Sequence, residues 1–166
     1  IFAEKLPPIF KRLKTSGITF KIFQQCQKSQ IDKLSNLYTE LKLDYELFNF
    51  SDKIQNYYSR SNIVITRSGA SVLGELVNIK IPFISIPLPK SADNHQYKNA
   101  KFYTEKGFGF LIEEKDIDNE LCDLIRTIYK EKALLRNIVF KQRQYSDKDI
   151  FKNLNDCIKK IVNEKN

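Results

Sequence analysis

The stretch Asn62-Ile63-Val64-Ile65-Thr66 is almost continuously apolar and runs straight into Arg67-Ser68-Gly69-Ala70 and a helical pattern over 71–79. An apolar run without alternation fits a strand covered on both faces, which is the situation of a strand in a parallel sheet. Parallel strands must be joined by crossovers, usually helices, so this strand, turn and helix constrain the chain to an α/β architecture.

The rest of the sequence agrees. A helix is predicted over 1–14, with Leu6, Ile9, Phe10 and Leu13 at helical spacing and Pro7 and Pro8 in its early turns. Gly17 breaks it, and Ile18-Thr19-Phe20-Lys21-Ile22-Phe23 alternates as a half-buried strand should. A helix over 29–43, a strand over 45–50 and a short helix from 51 to about 60 follow. After the 71–79 helix come a strand over 81–86, a polar loop over 87–94, a helix over 95–106 ended by Gly107, and a strand over 108–112. Three helices are expected beyond, over 118–129, 132–143 and 147–161. This order predicts one Rossmann-like, doubly wound parallel sheet spanning 1–166.

Composition excludes several classes. No apolar run approaches the length that spans a bilayer, and the start lacks a secretory-signal pattern, so a cytoplasmic protein is expected. Cys26, Cys122 and Cys157 are widely separated and have no metal-ligand spacing, which predicts reduced, packed thiols and no metal site. The net charge of +8 suits a phosphorylated ligand or an anionic membrane surface. The excess is mostly scattered Lys without an Arg-rich, aromatic stripe, so nucleic acid is not expected. Neither a P-loop nor a dinucleotide fingerprint is present. With no Met at any position and an opening directly into a helix, the sequence is expected to be part of a longer chain.

Ligands of open α/β sheets bind beyond the carboxyl ends of the strands. The turn after Thr66 therefore gathers the first candidates: Arg67, Ser68, Gly69, Ala70, Ser71 and Val72. Gly69 and Ala70 allow close backbone approach, and the first turn of a helix offers free N–H groups to an anion. Ser71 is a candidate N-cap or phosphate ligand, and Glu75, four residues on, is placed to accept hydroxyl hydrogen bonds from a ribose. A capping Ser71 and a solvated Glu75 satisfy the same pattern. The second group is His95, Gln96 and Asn99, whose amides suit sugar hydroxyls. No nucleophile motif accompanies His95, the single His of the chain, and it is not read as a general base.

Three blocks, 65–76, 81–87 and 93–100, read ITRSGASVLGEL, IPFISIP and DNHQYKNA. In order and spacing they resemble the C-terminal half of the bacterial lipid-I N-acetylglucosaminyltransferases, in glycosyltransferase family 28. The resemblance implies a GT-B protein: this half binds UDP-GlcNAc, and an N-terminal domain outside the chain receives lipid I, giving lipid II at the cytoplasmic face of the membrane. It places Glu75 on the ribose, backbone of Ala70, Ser71 and Val72 on the diphosphate, and Gln96 and Asn99 on the GlcNAc. Backbone at Phe50 and Ser51 falls to the uracil. No cofactor is implied, and no catalytic residue is assigned within the chain, which alone is expected to be inactive. A separately encoded donor subunit, a UDP-sugar hydrolase or epimerase of GT-B-like fold, and a basic binding module are the alternatives.

The sequence departs from the family at three points. The Gly-rich turn that follows the first strand of this half has no counterpart, so the sheet is expected to lack that central strand and to expose its neighbours' edges. His95 stands where many members carry Gln, and Lys80 stands where a Gly usually ends the helix.

Overall fold

The computed structural model describes residues 1–145 and Lys159; the helix expected over 147–161 and the thiol of Cys157 lie outside them, Lys159 excepted. Helix α1 (Phe2–Thr15) continues through Pro7 and Pro8 and buries Leu6, Ile9, Phe10 and Leu13. Strand β1 (Lys21–Gln25) leads to α2 (Lys28–Glu40), which opens with a reciprocal capping box between Gln27 and Gln30. Strand β2 (Asp44–Phe48) and the single-turn α3 (Gln55–Tyr58) follow. Then come β3 (Val64–Thr66), α4 (Ala70–Asn78), β4 (Phe83–Ser85), α5 (His95–Glu105) and β5 (Gly109–Leu111). A π-helical turn, Ile117–Leu121, runs into α6 (Cys122–Lys130), and α7 (Ala133–Gln144) completes the described elements.

Among the described residues all strand pairings are parallel. They form two sheets, β1-β2 and β3-β4-β5. The break between β1 and β3 falls where the family resemblance leads one to expect a missing central strand, and it leaves each of these strands with an edge unpaired to any described strand. Side chains span the break: Leu6, Ile9 and Leu13 of α1, Ile22 of β1 and Ile84 of β4 belong to one hydrophobic cluster, with Ile112, Ile117 and Leu121. A second cluster lies on the other face of the three-stranded sheet, where Phe83 and Phe108 pack with Leu73, Leu76 and Val77 of α4. Phe83 and Ile84 thus enter opposite cores, as adjacent residues of a doubly covered strand must.

The strands are shorter than the sequence suggests because ladder pairing covers only three residues each of β3, β4 and β5, the last three of the expected strand in β3. Buried Gln142 fastens α7 to this sheet, its Nε2 donating to the carbonyls of Ile81 and Phe108 at 3.1 and 2.9 Å. Gly107 ends α5 with φ +74°, the left-handed cap expected of it. Cys26 and Cys122 are buried free thiols. No helix among the described residues is long and apolar enough to cross a membrane.

Candidate functional site

The turn between β3 and α4 lies at the carboxyl edge of the three-stranded sheet, next to the loops that leave β4 and β5. Gly69, not Ser71, is the N-cap of α4, with φ −64° and ψ 135°. No described side chain caps this end, so among the described residues the first-turn amides of Ala70, Ser71 and Val72 have neither an intrahelical acceptor nor a capping oxygen. Ser71 is exposed and stands one position inside the helix. A Cβ built on Gly69 would meet only Val72 Cγ2, at 4.0 Å. Packing within the fold therefore does not demand glycine here, and the open side leaves room for close approach to the amides.

Glu75 is half-buried one turn further along α4, and no hydrogen bond or ion pair joins its carboxylate to a described residue. Its charge is felt by Tyr58, whose phenol is pushed up first by burial and then by Glu75. An unpartnered carboxylate behind an uncapped helix end combines an anion-binding terminus with a hydroxyl acceptor.

Arg67 and Ser68 turn inward. The Arg67 guanidinium donates through Nη1 to the carbonyls of Ile86 and Pro87, at 3.3 and 3.1 Å, pairs with Glu114 beyond β5, and stacks on the Phe2 ring. Ser68 is fully buried and shares a 2.7 Å hydroxyl contact with Ser85. Its N–H donates to Gln96 Oε1 at 3.2 Å, and its carbonyl accepts from Asn99 Nδ2 at 3.1 Å. The structure thus brings Arg67, Ser68, Gln96 and Asn99 together, although the first two spend their polar groups on protein.

His95 is exposed at the start of α5, where its Nδ1 lies 2.7 Å from the Ala92 carbonyl and so carries the proton, leaving Nε2 free. The loop before it is held by Asp93 and Asn94, both at positive φ. Phe50 and Ser51 follow β2, on the separate two-stranded sheet. The Phe50 ring is 79% exposed, and Ser51 Oγ accepts the N–H of Lys53. No hydrogen bond joins these two to the α4 turn.

Ser85, Ser91 and Glu114 belong to this neighbourhood and were missed by sequence reasoning. Ser85 had a signal: it is the one polar residue within Phe83-Ile84-Ser85-Ile86. Ser91 Oγ accepts the Gln96 N–H at 3.3 Å. Nothing local marks Glu114. Among the described residues no group of three or more His, Cys, Asp or Glu is arranged to hold a metal ion. Two surface grooves, of about 260 and 630 Å³, lie at the amino ends of the strands, one beside Phe20 and Leu43 and the other beside Asn62 and Pro82. Neither coincides with the α4 turn.

Comparison with known proteins bears on the same region. The glycosyltransferase family 28 C-terminal domain matches residues 1–154. The UDP-N-acetylglucosamine--N-acetylmuramyl-(pentapeptide) pyrophosphoryl-undecaprenol N-acetylglucosamine transferase of Pelagibacter ubique is 36% identical over 149 residues, covering 87% of this chain and 41% of that protein. Its namesake from Rickettsia bellii is 37% identical over 140 residues, covering 82% and 39%. The crystal structure of Acinetobacter baumannii MurG superposes with a TM-score of 0.76 at 27% identity, over 87% of this chain and 42% of that one. The chain spans about two fifths of the length of the relatives it matches.

Proposed function

The chain belongs to glycosyltransferase family 28 through that family's C-terminal domain, and from this we propose that it is the donor half of a hexosyltransferase moving GlcNAc from UDP-GlcNAc to lipid I. The supporting observation is the uncapped first turn of α4 with the unpartnered, half-buried Glu75 one turn behind it. The amides of Ala70, Ser71 and Val72 hold the diphosphate, and Glu75 accepts the ribose hydroxyls. Gln96 and Asn99 meet the sugar, His95 lies at its margin, and Phe50 and Ser51 supply the backbone edge for the uracil.

In the transfer, the bond from the sugar C1 to the β-phosphate oxygen breaks and its electron pair goes to the diphosphate. C1 then bonds to the acceptor hydroxyl, whose proton passes to a base. This chain's contribution is to orient the leaving group and oppose its growing negative charge with fixed backbone dipoles. The base is assigned to none of its residues. Lipid I is received by an N-terminal domain, lipid II is the product, and the protein works peripherally on the cytoplasmic face of an anionic membrane, which its charge of +8 favours.

Calorimetric titration of the full-length protein with UDP, UDP-GlcNAc and GDP tests the reading. Saturable binding of both uridine ligands with GDP excluded is the expected result. A folded full-length protein that ignores UDP would overturn it.

A further inference from the structure

The α4 turn is held from below by a polar lattice that touches no solvent-facing group of the turn. All three polar groups of Ser68 are engaged: N–H by Gln96 Oε1, carbonyl by Asn99 Nδ2, and hydroxyl by Ser85 Oγ. Ser68 and Ser85 are fully buried. Gln96 Oε1 also accepts the Leu88 N–H at 2.9 Å, so one amide oxygen ties the turn after β3 to the loop after β4. Gln96 and Asn99 stand three residues apart on α5 and share a face. Both amide orientations are fixed by their partners, because backbone N–H groups require an oxygen and a carbonyl requires an N–H.

We propose that Ser68, Ser85, Gln96 and Asn99 form a positioning clamp that sets the direction of the α4 first-turn amides, and that Ser85, which reaches the ligand only through Ser68, controls diphosphate affinity. The clamp rests on the donor-site reading above. Ser68 immediately precedes the Gly69 N-cap, so any rotation of its peptide re-aims the N–H groups that follow. A hydrogen bond made to a misdirected amide weakens steeply with angle, so a small tilt is felt by the phosphates first. The clamp also fixes polarity. Gln96 has spent its oxygen on two backbone N–H groups and offers its Nε2 hydrogens, while Asn99 has spent one amide hydrogen on Ser68 and keeps Oδ1 and the other hydrogen. The sugar therefore meets Gln96 as a donor, in an orientation the clamp fixes.

The test uses the full-length protein with two probes, UDP by calorimetry and uridine by NMR titration. In Ser85→Ala, UDP affinity is expected to fall about fivefold to tenfold, the equivalent of roughly one lost hydrogen bond. Uridine affinity is expected to stay within about twofold, because the nucleoside does not use the α4 amides; general unfolding would weaken both probes alike. Gln96→Met, half-buried and more tolerant, is the second variant. UDP lacks the transferred sugar that Gln96 is assigned to meet, so its weaker binding there reports the clamp and not a contact with that sugar. Wild-type affinity for UDP in both variants would overturn the clamp and leave the donor site standing. A wild-type protein that fails to bind UDP would overturn both.

Discussion

The Arg67 guanidinium lies 2.5 Å from the Glu114 carboxylate, joining the turn after β3 to the segment after β5 while its other nitrogen reaches the carbonyls of Ile86 and Pro87. One side chain thus ties together the carboxyl ends of all three strands of the larger sheet. Both partners are about three-quarters buried, at 26% and 23% side-chain exposure, so the pair is more than a solvated surface contact.

Arg67→Lys tests this. Lysine keeps the charge but cannot reach a carboxylate and two carbonyls from one planar fork. The variant is expected to lose about 1–3 kcal/mol of stability, the usual effect of breaking hydrogen bonds to a charged group. Urea denaturation of the full-length protein measures it. An unchanged midpoint would show that Arg67 does not brace the sheet edge.

Glu75→Gln keeps the shape of the side chain and removes the charge. If Glu75 accepts two ribose hydroxyls, UDP affinity should fall by about 1–3 kcal/mol, with the melting temperature almost unmoved because no described residue is paired with this carboxylate. Calorimetry with UDP and with 2′-deoxy-UDP separates the ribose contact from a general charge effect: the two ligands should bind the variant with similar affinity. Unaltered UDP binding would remove Glu75 from the site.

These two residues show what was legible in sequence. Spacing alone put Glu75 one turn behind a helix start, and the structure leaves it there with no hydrogen bond or ion pair to a described residue. Arg67 and Ser68 lie in the turn after β3, as the pattern predicts, yet their side chains point into the fold. A residue's position along a turn follows from strand and helix patterns, whereas the direction of its side chain depends on distant partners such as Ser85 and Glu114. The helix cap moved for a similar reason. Ser71 has the right chemistry, but Gly69 has the extended dihedrals that start the helix, and the end is left without a side-chain cap. The break between β1 and β3 was legible only through the family resemblance, because the Gly-rich turn that follows the family's first strand has no counterpart here; apolar patterning by itself shows the strands that are present and not one that is missing.

Lys80 departs from the family's glycine without altering the cap. Its N–H donates to the Val77 carbonyl at 3.2 Å, that of Ile81 donates to Leu76 at 2.9 Å, and Lys80 itself sits at φ +64°. This is the Schellman arrangement with a lysine in the left-handed position. A Cβ there costs about 1–2 kcal/mol, partly offset by the greater freedom glycine has when unfolded. Lys80→Gly is therefore expected to stabilise the protein by about 0.5–1 kcal/mol and raise its melting temperature, without changing UDP affinity. A lower melting temperature would show that the Lys80 side chain contributes more than its backbone strain costs.

Tyr38 is expected to set the alkaline limit of the fold. It is fully buried on α2, its hydroxyl donates to Gln24 Oε1 at 2.5 Å, and the amide nitrogen of Gln24 has no partner among the described residues. Burial, with a smaller contribution from Cys26, holds the phenol well above its ordinary value of 10.0. In the folded protein the proton is therefore retained at a pH where the unfolded chain has released it. Between those two pKa values the unfolded state binds fewer protons, so stability is full below about pH 10 and declines as pH rises through that value. Tyr38→Phe should lower stability at pH 7 by about 1–3 kcal/mol, since Gln24 would lose its remaining side-chain partner. It should also flatten the alkaline decline, because phenylalanine has no proton to lose. Denaturation midpoints from pH 7 to 11 in both proteins give the comparison. Parallel pH curves would show that another group sets the alkaline limit, even if the loss at neutral pH were as large as expected.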